Sequence, residues 1–279
     1  PYSSQNPAIT KLAQNKPCIK ILSKSDLADP EMTEQWQDYF ERVKSVKTLL
    51  TTLDQPETIQ RLMSLVRELV PHKSKSRTHV LAMITGIPNV GKSSLINILA
   101  GRKVAKTGNE PAITKGLQRI RIQDELILLD TPGILWPKIH NENSGYRLAV
   151  SGAIRDTATE VEDLAFYLTA YLLEYHPGLL VDRYNLDAIP KSDVEFLEEL
   201  GARRGCLRAG GHVDLEKVSS ILVNEFRSGT LGRISLETPD MILAEEKIVK
   251  ARQDIEAAKQ EQKKRNKQSS RGSGKKNQS

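Results

Sequence analysis

Gly86-Ile87-Pro88-Asn89-Val90-Gly91-Lys92-Ser93 stands between an apolar run, Val80 to Ile84, and a helical pattern from Ser93 to Leu99. The spacing G-x-x-x-x-G-K-[ST], after a strand and before a helix, is that of a phosphate-binding loop. Its glycines let backbone amides approach phosphate oxygens, and the start of the helix adds the positive end of its dipole. In such a loop Lys92 reaches the β- and γ-phosphates of a nucleotide, and the Ser93 hydroxyl ligates Mg²⁺. The expected nucleotide contacts run from Gly86 through Ile87, Pro88, Asn89, Val90, Gly91, Lys92 and Ser93 to Ser94.

Three further stretches take their meaning from that loop. Asp130-Thr131-Pro132-Gly133 closes the apolar run Leu126 to Leu129. An Asp there holds Mg²⁺, usually through a water, and the glycine amide senses a γ-phosphate. Alone, a D-x-x-G is most often a turn. Between the two lies Pro111-Ala112-Ile113-Thr114, where the Thr114 hydroxyl and carbonyl would complete the Mg²⁺ shell; the other reading is an ordinary loop threonine. Upstream, Ser23-Lys24-Ser25-Asp26 follows the strand-like run Cys18 to Leu22. A carboxylate such as Asp26 accepts two parallel hydrogen bonds from guanine N1–H and the exocyclic amine, a donor pair adenine lacks. The Lys24 stem would lie along the base. Lys92, Thr114 and Gly133 are the expected catalytic positions.

Working outward, strands and helices alternate through the first half, the pattern of an α/β sheet with helices on both faces. Strands are expected at Cys18–Leu22, Val46–Thr52, Val80–Ile84, Leu117–Ile122 (an edge) and Leu126–Leu129, with helices over Met32–Val43 and after Pro56. Ile59, Leu62, Met63, Val66, Leu69 and Val70 share one face of the latter. Beyond Tyr146 only helical periodicity remains. Ser192 and Glu195 form a capping box with Gly201 as C-cap, and Asp214 caps a helix lined by Val218, Ile221, Leu222 and Phe226. The expected domains are residues 1–143 (α/β), 144–239 (all helical) and 240–279 (a charged helix opened by Thr238-Pro239 and a disordered basic tail).

Composition sets the class. Of 279 residues, 38% are hydrophobic and 27% charged, which excludes collagen-like, mucin-like or wholly disordered chains. No apolar run approaches the roughly 18 residues of a membrane span. Two cysteines, Cys18 and Cys206, exclude a disulfide scaffold or zinc ribbon and fit a reducing compartment. The net charge of +6 is a property of the tail: from Lys259 onward eight basic residues face Glu261 alone, leaving the rest at −1. Such a tail binds phosphate without reading bases. Arg203, Arg204 and Arg208, flanking Gly210-Gly211, are either RNA-phosphate ligands or a solvated basic surface. The five histidines fall in different elements, which speaks against a metal or triad role.

The order SKSD, GIPNVGKS, PAIT, DTPG, closing with DTPGILWPK, resembles the circularly permuted GTPases of the YlqF/RbgA type, which assist assembly of the large ribosomal subunit. Gly145–Asp156 and Arg204–Gly211 extend the likeness. It implies a P-loop GTPase sheet with permuted motif order, followed by a small RNA-binding helical domain. It further implies GTP and GDP as ligands, Mg²⁺ at Ser93, Thr114 and Asp130, and a K⁺ ion at Asn89 in place of an arginine finger. The partners implied are the large-subunit precursor and its rRNA, with no membrane and no small-molecule acceptor, in a bacterial cytoplasm or alternatively a mitochondrial matrix.

The departures carry expectations of their own. Ser23 stands where the family has Asn in N-K-x-D, which predicts a weaker link between base site and phosphate loop. Ala112 stands where Gly is frequent, and the motif closing the base pocket should lie near Thr51 and Thr52. Ile134 occupies the place of a water-orienting glutamine, which predicts slow intrinsic turnover. The family opens with a helix and a strand that this sequence does not show, so two central strands, Cys18–Leu22 and Val80–Ile84, should each lack a neighbour and the chain should lack its native start. Two other classes compete: an RNA-binding assembly protein with structural nucleotide, and a P-loop small-molecule kinase.

Overall fold

A computed structural model describes residues 1–273 except 15, 53–56, 72–78, 106–117, 124 and 155–159, with side chains as far as 263. The chain divides at Thr238 into a compact unit, Pro1–Thr238, and a C-terminal stretch from Pro239. The α/β and helical halves pack into that first unit together.

In chain order the first unit comprises α1 (Pro7–Ala13), β1 (Cys18–Ser23), α2 (Pro30–Glu41), β2 (Val46–Thr51), α3 (Thr58–Leu69), β3 (Val80–Ile84), α4 (Lys92–Ala100), β4 (Gln118–Ile122) and β5 (Leu126–Asp130). The helical half follows as α5 (Glu142–Val150), α6 (Val161–Tyr175), α7 (Pro177–Tyr184), α8 (Asp193–Arg203) and α9 (Leu215–Arg227). The second unit is one helix, α10 (Pro239–Ser273), so the basic run from Lys259 starts within a helix.

The described strands form two sheets. β1 pairs in parallel with β2, and β3 pairs in parallel with β5, whose far edge carries antiparallel β4. β1 and β3 do not pair with each other. One core nevertheless serves both sheets: Leu49, Leu62, Met63 and Val66 meet Leu95, Ile96, Leu99, Ile120, Ile122, Leu126 and Leu128. Val80, Ala82 and Ile84 of β3 pack on this core, while Leu81 and Met83, on the opposite face, are exposed.

Local chemistry explains the helix starts. The Asp29 side chain accepts from Met32 N ahead of Pro30, Ser192 accepts from Glu195 N, and Asp214 accepts from Lys217 N. The return bond of the capping box goes one residue further out, with Glu195 accepting from Lys191 N at 2.7 Å. Gly201 is not a C-cap. It lies inside α8, buried against Val213, and the left-handed residue that ends the helix is Gly205 (φ +63). Cys206 is buried and Cys18 half-buried on β1, where burial pushes its thiol up; both are free thiols. Among the described residues no helix is long and apolar enough to cross a membrane.

Candidate functional site

Strand register brings the motifs together. Ile84 pairs with Asp130 and Ser23 with Thr51, so each parallel pair ends level and releases its two loops side by side. The carboxyl ends of parallel strands are where open α/β sheets bind ligands. From β3 and β5 emerge the Gly86–Ser93 loop and Asp130–Gly133. From β1 and β2 emerge Lys24–Asp26 and Thr52.

Asn89 (φ +57) and Gly91 (φ +88) adopt left-handed conformations that turn the chain into α4, where Gly91 O accepts the first helical bond from Leu95 N at 2.9 Å. Ile87 is buried among Leu148 and Ala153, with Val90, Leu135, Trp136, Ile139 and Ile154 packed around it. Lys92 feels burial, which pushes its ammonium pKa down, and Asp130, which pushes it back up. A half-buried cation in an amide-lined turn is suited to phosphate.

The Asp130 loop lies directly on that turn. Thr131 Oγ1 donates to Ile84 O at 2.9 Å, and Ile134 N donates to Gly86 O at 3.3 Å. A β-carbon on Gly133 would sit 3.1 Å from Pro88 N and Cα and 3.4 Å from Lys92 Nζ. Asp130 is buried at the strand end. Its carboxylate and the hydroxyl of Ser93, at the second position of α4, are hard oxygen donors that could hold Mg²⁺. Thr114, with Pro111 to Ile113, lies outside the described residues.

The base end is tied to the phosphate end. Ser23 Oγ donates to Val90 O at 2.8 Å, so the link that serine makes to the phosphate loop is one hydroxyl bond. Ser25 N and Oγ both approach Thr51 O, at 3.3 and 3.4 Å, and Ser25, Asp26, Thr52 and Arg233 line one pocket. Lys24 takes φ +57 at the turn. Thr52, expected near the closing base motif, is thus brought beside Asp26. Sequence reasoning missed Arg233, which lies 207 positions from Asp26 with no local pattern to mark it.

Asn89 reaches the other way. Its Nδ2 donates to Gly152 O at 3.2 Å, in the turn after α5. The arginines near Gly210 and Gly211 are ion-paired: Arg203 with Glu199 and Asp187, Arg204 with Glu225, Arg208 with Asp214. No group of three or more potential metal-ligating His, Cys, Asp or Glu side chains occurs among the described residues.

The family model described as 50S ribosome-binding GTPase matches residues 81–169. Ribosome biogenesis GTPase A of Priestia megaterium is 42% identical over 247 residues, 86% of this chain and 85% of that one. The chain belongs to the ribosome biogenesis GTPase A family. Mitochondrial ribosome-associated GTPase 1 of Ictalurus punctatus is 32% identical, covering 85% of this chain and 82% of that protein. The crystal structure of GNP-bound YlqF from Thermotoga maritima superposes with a TM-score of 0.59 at 26% identity, over 86% of this chain and 89% of that one. Membership fixes the fold as a P-loop GTPase domain whose base motif on β1 precedes its phosphate loop on β3, the permuted order.

Proposed function

We propose that this chain is a GTP-binding and GTP-hydrolysing assembly factor for the large ribosomal subunit, which engages rRNA in the GTP state and leaves on hydrolysis. The observation that carries it is the junction of three loops, Ser23–Asp26, Gly86–Ser93 and Asp130–Gly133, by the Ser23–Val90, Thr131–Ile84 and Ile134–Gly86 bonds. The names of the relatives support ribosomes as the partner.

Asp26 reads the guanine edge, and Lys92 with the loop amides holds the β- and γ-phosphates. Ser93 and Asp130, with Thr114, would hold Mg²⁺, which neutralises charge developing on the phosphates. The Gly133 amide, above Pro88 and Lys92, registers the γ-phosphate. Ile134 brings no polar group to the attacking water, so turnover by the chain alone is slow. Asn89 Oδ1 would ligate K⁺ as a supplementary charge, and Asn89→Ala is expected to abolish any preference for K⁺ over Na⁺ in hydrolysis rate. The bacterial relatives support function in a bacterial cytoplasm, with a mitochondrial matrix the alternative.

The test is competition between GDP and ADP in Mg²⁺ buffer. The chain is expected to prefer GDP and to lose the preference on Asp26→Ala, and hydrolysis is expected to rise when large subunits are added. Equal binding of the two nucleotides, or turnover indifferent to subunits, would refute the reading.

A further inference from the structure

The base pocket contains a residue from the far end of the compact unit. Arg233 follows α9, in the segment that leads to Thr238. It is held against the base loop by two bonds, Nε to Ala28 O at 2.9 Å and Nη2 to Ser25 O at 3.1 Å. Ile234 N donates to Leu27 O at 3.0 Å, and Ser235 Oγ accepts from Asp29 N at 3.2 Å. Leu27 Cδ2 lies against Gly229, where an added β-carbon would come within 2.7 Å. The segment from Gly229 to Ser235 therefore runs alongside Leu27–Asp29 and sets Arg233 into the pocket lined by Ser25, Asp26 and Thr52.

The polar balance of that pocket shows what Arg233 does. Guanine presents donors at N1 and N2, which Asp26 satisfies, and acceptors at O6 and N7. Ser23 has a single hydroxyl proton, and it is already given to Val90 O. Ser23 therefore leaves the acceptor edge open to another donor. A guanidinium carries five N–H groups in a rigid fork; two of Arg233's point at the Ser25 and Ala28 carbonyls, and Nη1 has no hydrogen-bond partner among the described residues.

Resting on the guanine-nucleotide reading, we infer that Arg233 is a specificity residue of the base site: it clamps the Ser25–Ala28 loop and donates from its free N–H groups to O6 of guanine, the acceptor that adenine lacks. Adenine, with an amino group in place of O6, offers that donor no acceptor there. Because Arg233 belongs to the segment that closes the helical half, an occupied base site also pins that segment to β1.

The experiment compares GDP, IDP and ADP affinities of the full chain, wild type against Arg233→Ala, Arg233→Lys and Asp26→Ala. IDP keeps N1–H, O6 and N7 but lacks the exocyclic amine. Arg233→Ala is expected to weaken GDP and IDP equally, by about tenfold for a lost bond from a charged donor, and to leave ADP unchanged. Arg233→Lys, which keeps one cationic donor, is expected to retain part of the preference for GDP over ADP. Asp26→Ala is expected to cost more on GDP than on IDP, because Asp26 reads the amine.

Equal losses on GDP, IDP and ADP from Arg233→Ala would reduce it to a scaffold residue and overturn the proposal. So would no loss on any of them, or a larger loss on GDP than on IDP, which would mean that Arg233 acts only by placing Asp26. A wild-type chain with no preference for GDP over ADP would overturn the guanine reading itself, whatever Arg233 does.

Discussion

Gly133 shows how one missing atom shapes the site. Its β-carbon would meet Pro88 N and Cα at 3.1 Å, and backbone atoms in a tight turn cannot yield by changing rotamer. Gly133→Ala must therefore shift the Asp130 loop against the phosphate loop by a few tenths of an ångström. Hydrolysis is expected to fall by about tenfold or more, since small misplacements of reacting groups are costly, while GDP affinity stays within about threefold because the base pocket is untouched. Single-turnover hydrolysis with parallel GDP titration measures the split, and equal losses in both would show that the glycine serves folding rather than catalysis. The motif glycines and Lys92 were legible in the sequence because a phosphate loop is local: eight consecutive residues state both geometry and chemistry. Ser23 was only half legible. Its replacement of Asn predicted a weaker link, but which atom the shorter side chain would bond, Val90 O, had no mark in the sequence.

At the scale of elements, the β3, β5 and α4 boundaries were legible because their apolar runs and the loop between them leave few alternatives. Gly201 was misread for a physical reason. A glycine near the end of a helical pattern usually marks a C-cap, but this one makes room for the hairpin formed by the Leu207–Val213 bridge. A β-carbon there would lie 2.3 Å from Val213 Cγ1 and 3.0 Å from Cγ2. Gly201→Ala gains up to about 1 kcal/mol of helix propensity but faces an overpacking cost of about 1–3 kcal/mol. With so close a contact the clash should win, and Tm should fall. Adding Val213→Ala removes the clashing methyls, so the double variant should be more stable than the sum of the two single effects. Strict additivity in thermal melts would mean that the hairpin moves aside freely and that Gly201 is replaceable.

Across the whole molecule, contacts distant in sequence join the nucleotide site to the helical half, and none carries a local signature. Asn89 Nδ2 bonds Gly152 O, and Arg227 of α9 caps the same turn, with Nε on Val150 O and Nη2 on Ala149 O, each at 2.8 Å. Ile87 beneath the phosphate loop shares a cluster with Leu148 and Ala153 of that turn and with Trp136 beyond the Asp130 loop. Nucleotide that fixes the phosphate loop is therefore expected to fix the end of α5, and through Arg227 the end of α9, whose next residues lead to Arg233. A coupling free energy of this kind must act reciprocally. Amide hydrogen exchange measures it: adding GDP should slow exchange at Ser151–Ile154 and around Arg227, outside the nucleotide pocket. Asn89→Ala should remove most of that remote protection at saturating GDP while leaving protection of Lys92 to Leu95 in place. If remote and local protection were instead lost together, or neither changed, the Asn89–Gly152 bond would be a packing contact, and the signal to the helical half would have to run through Arg233 and the base loop.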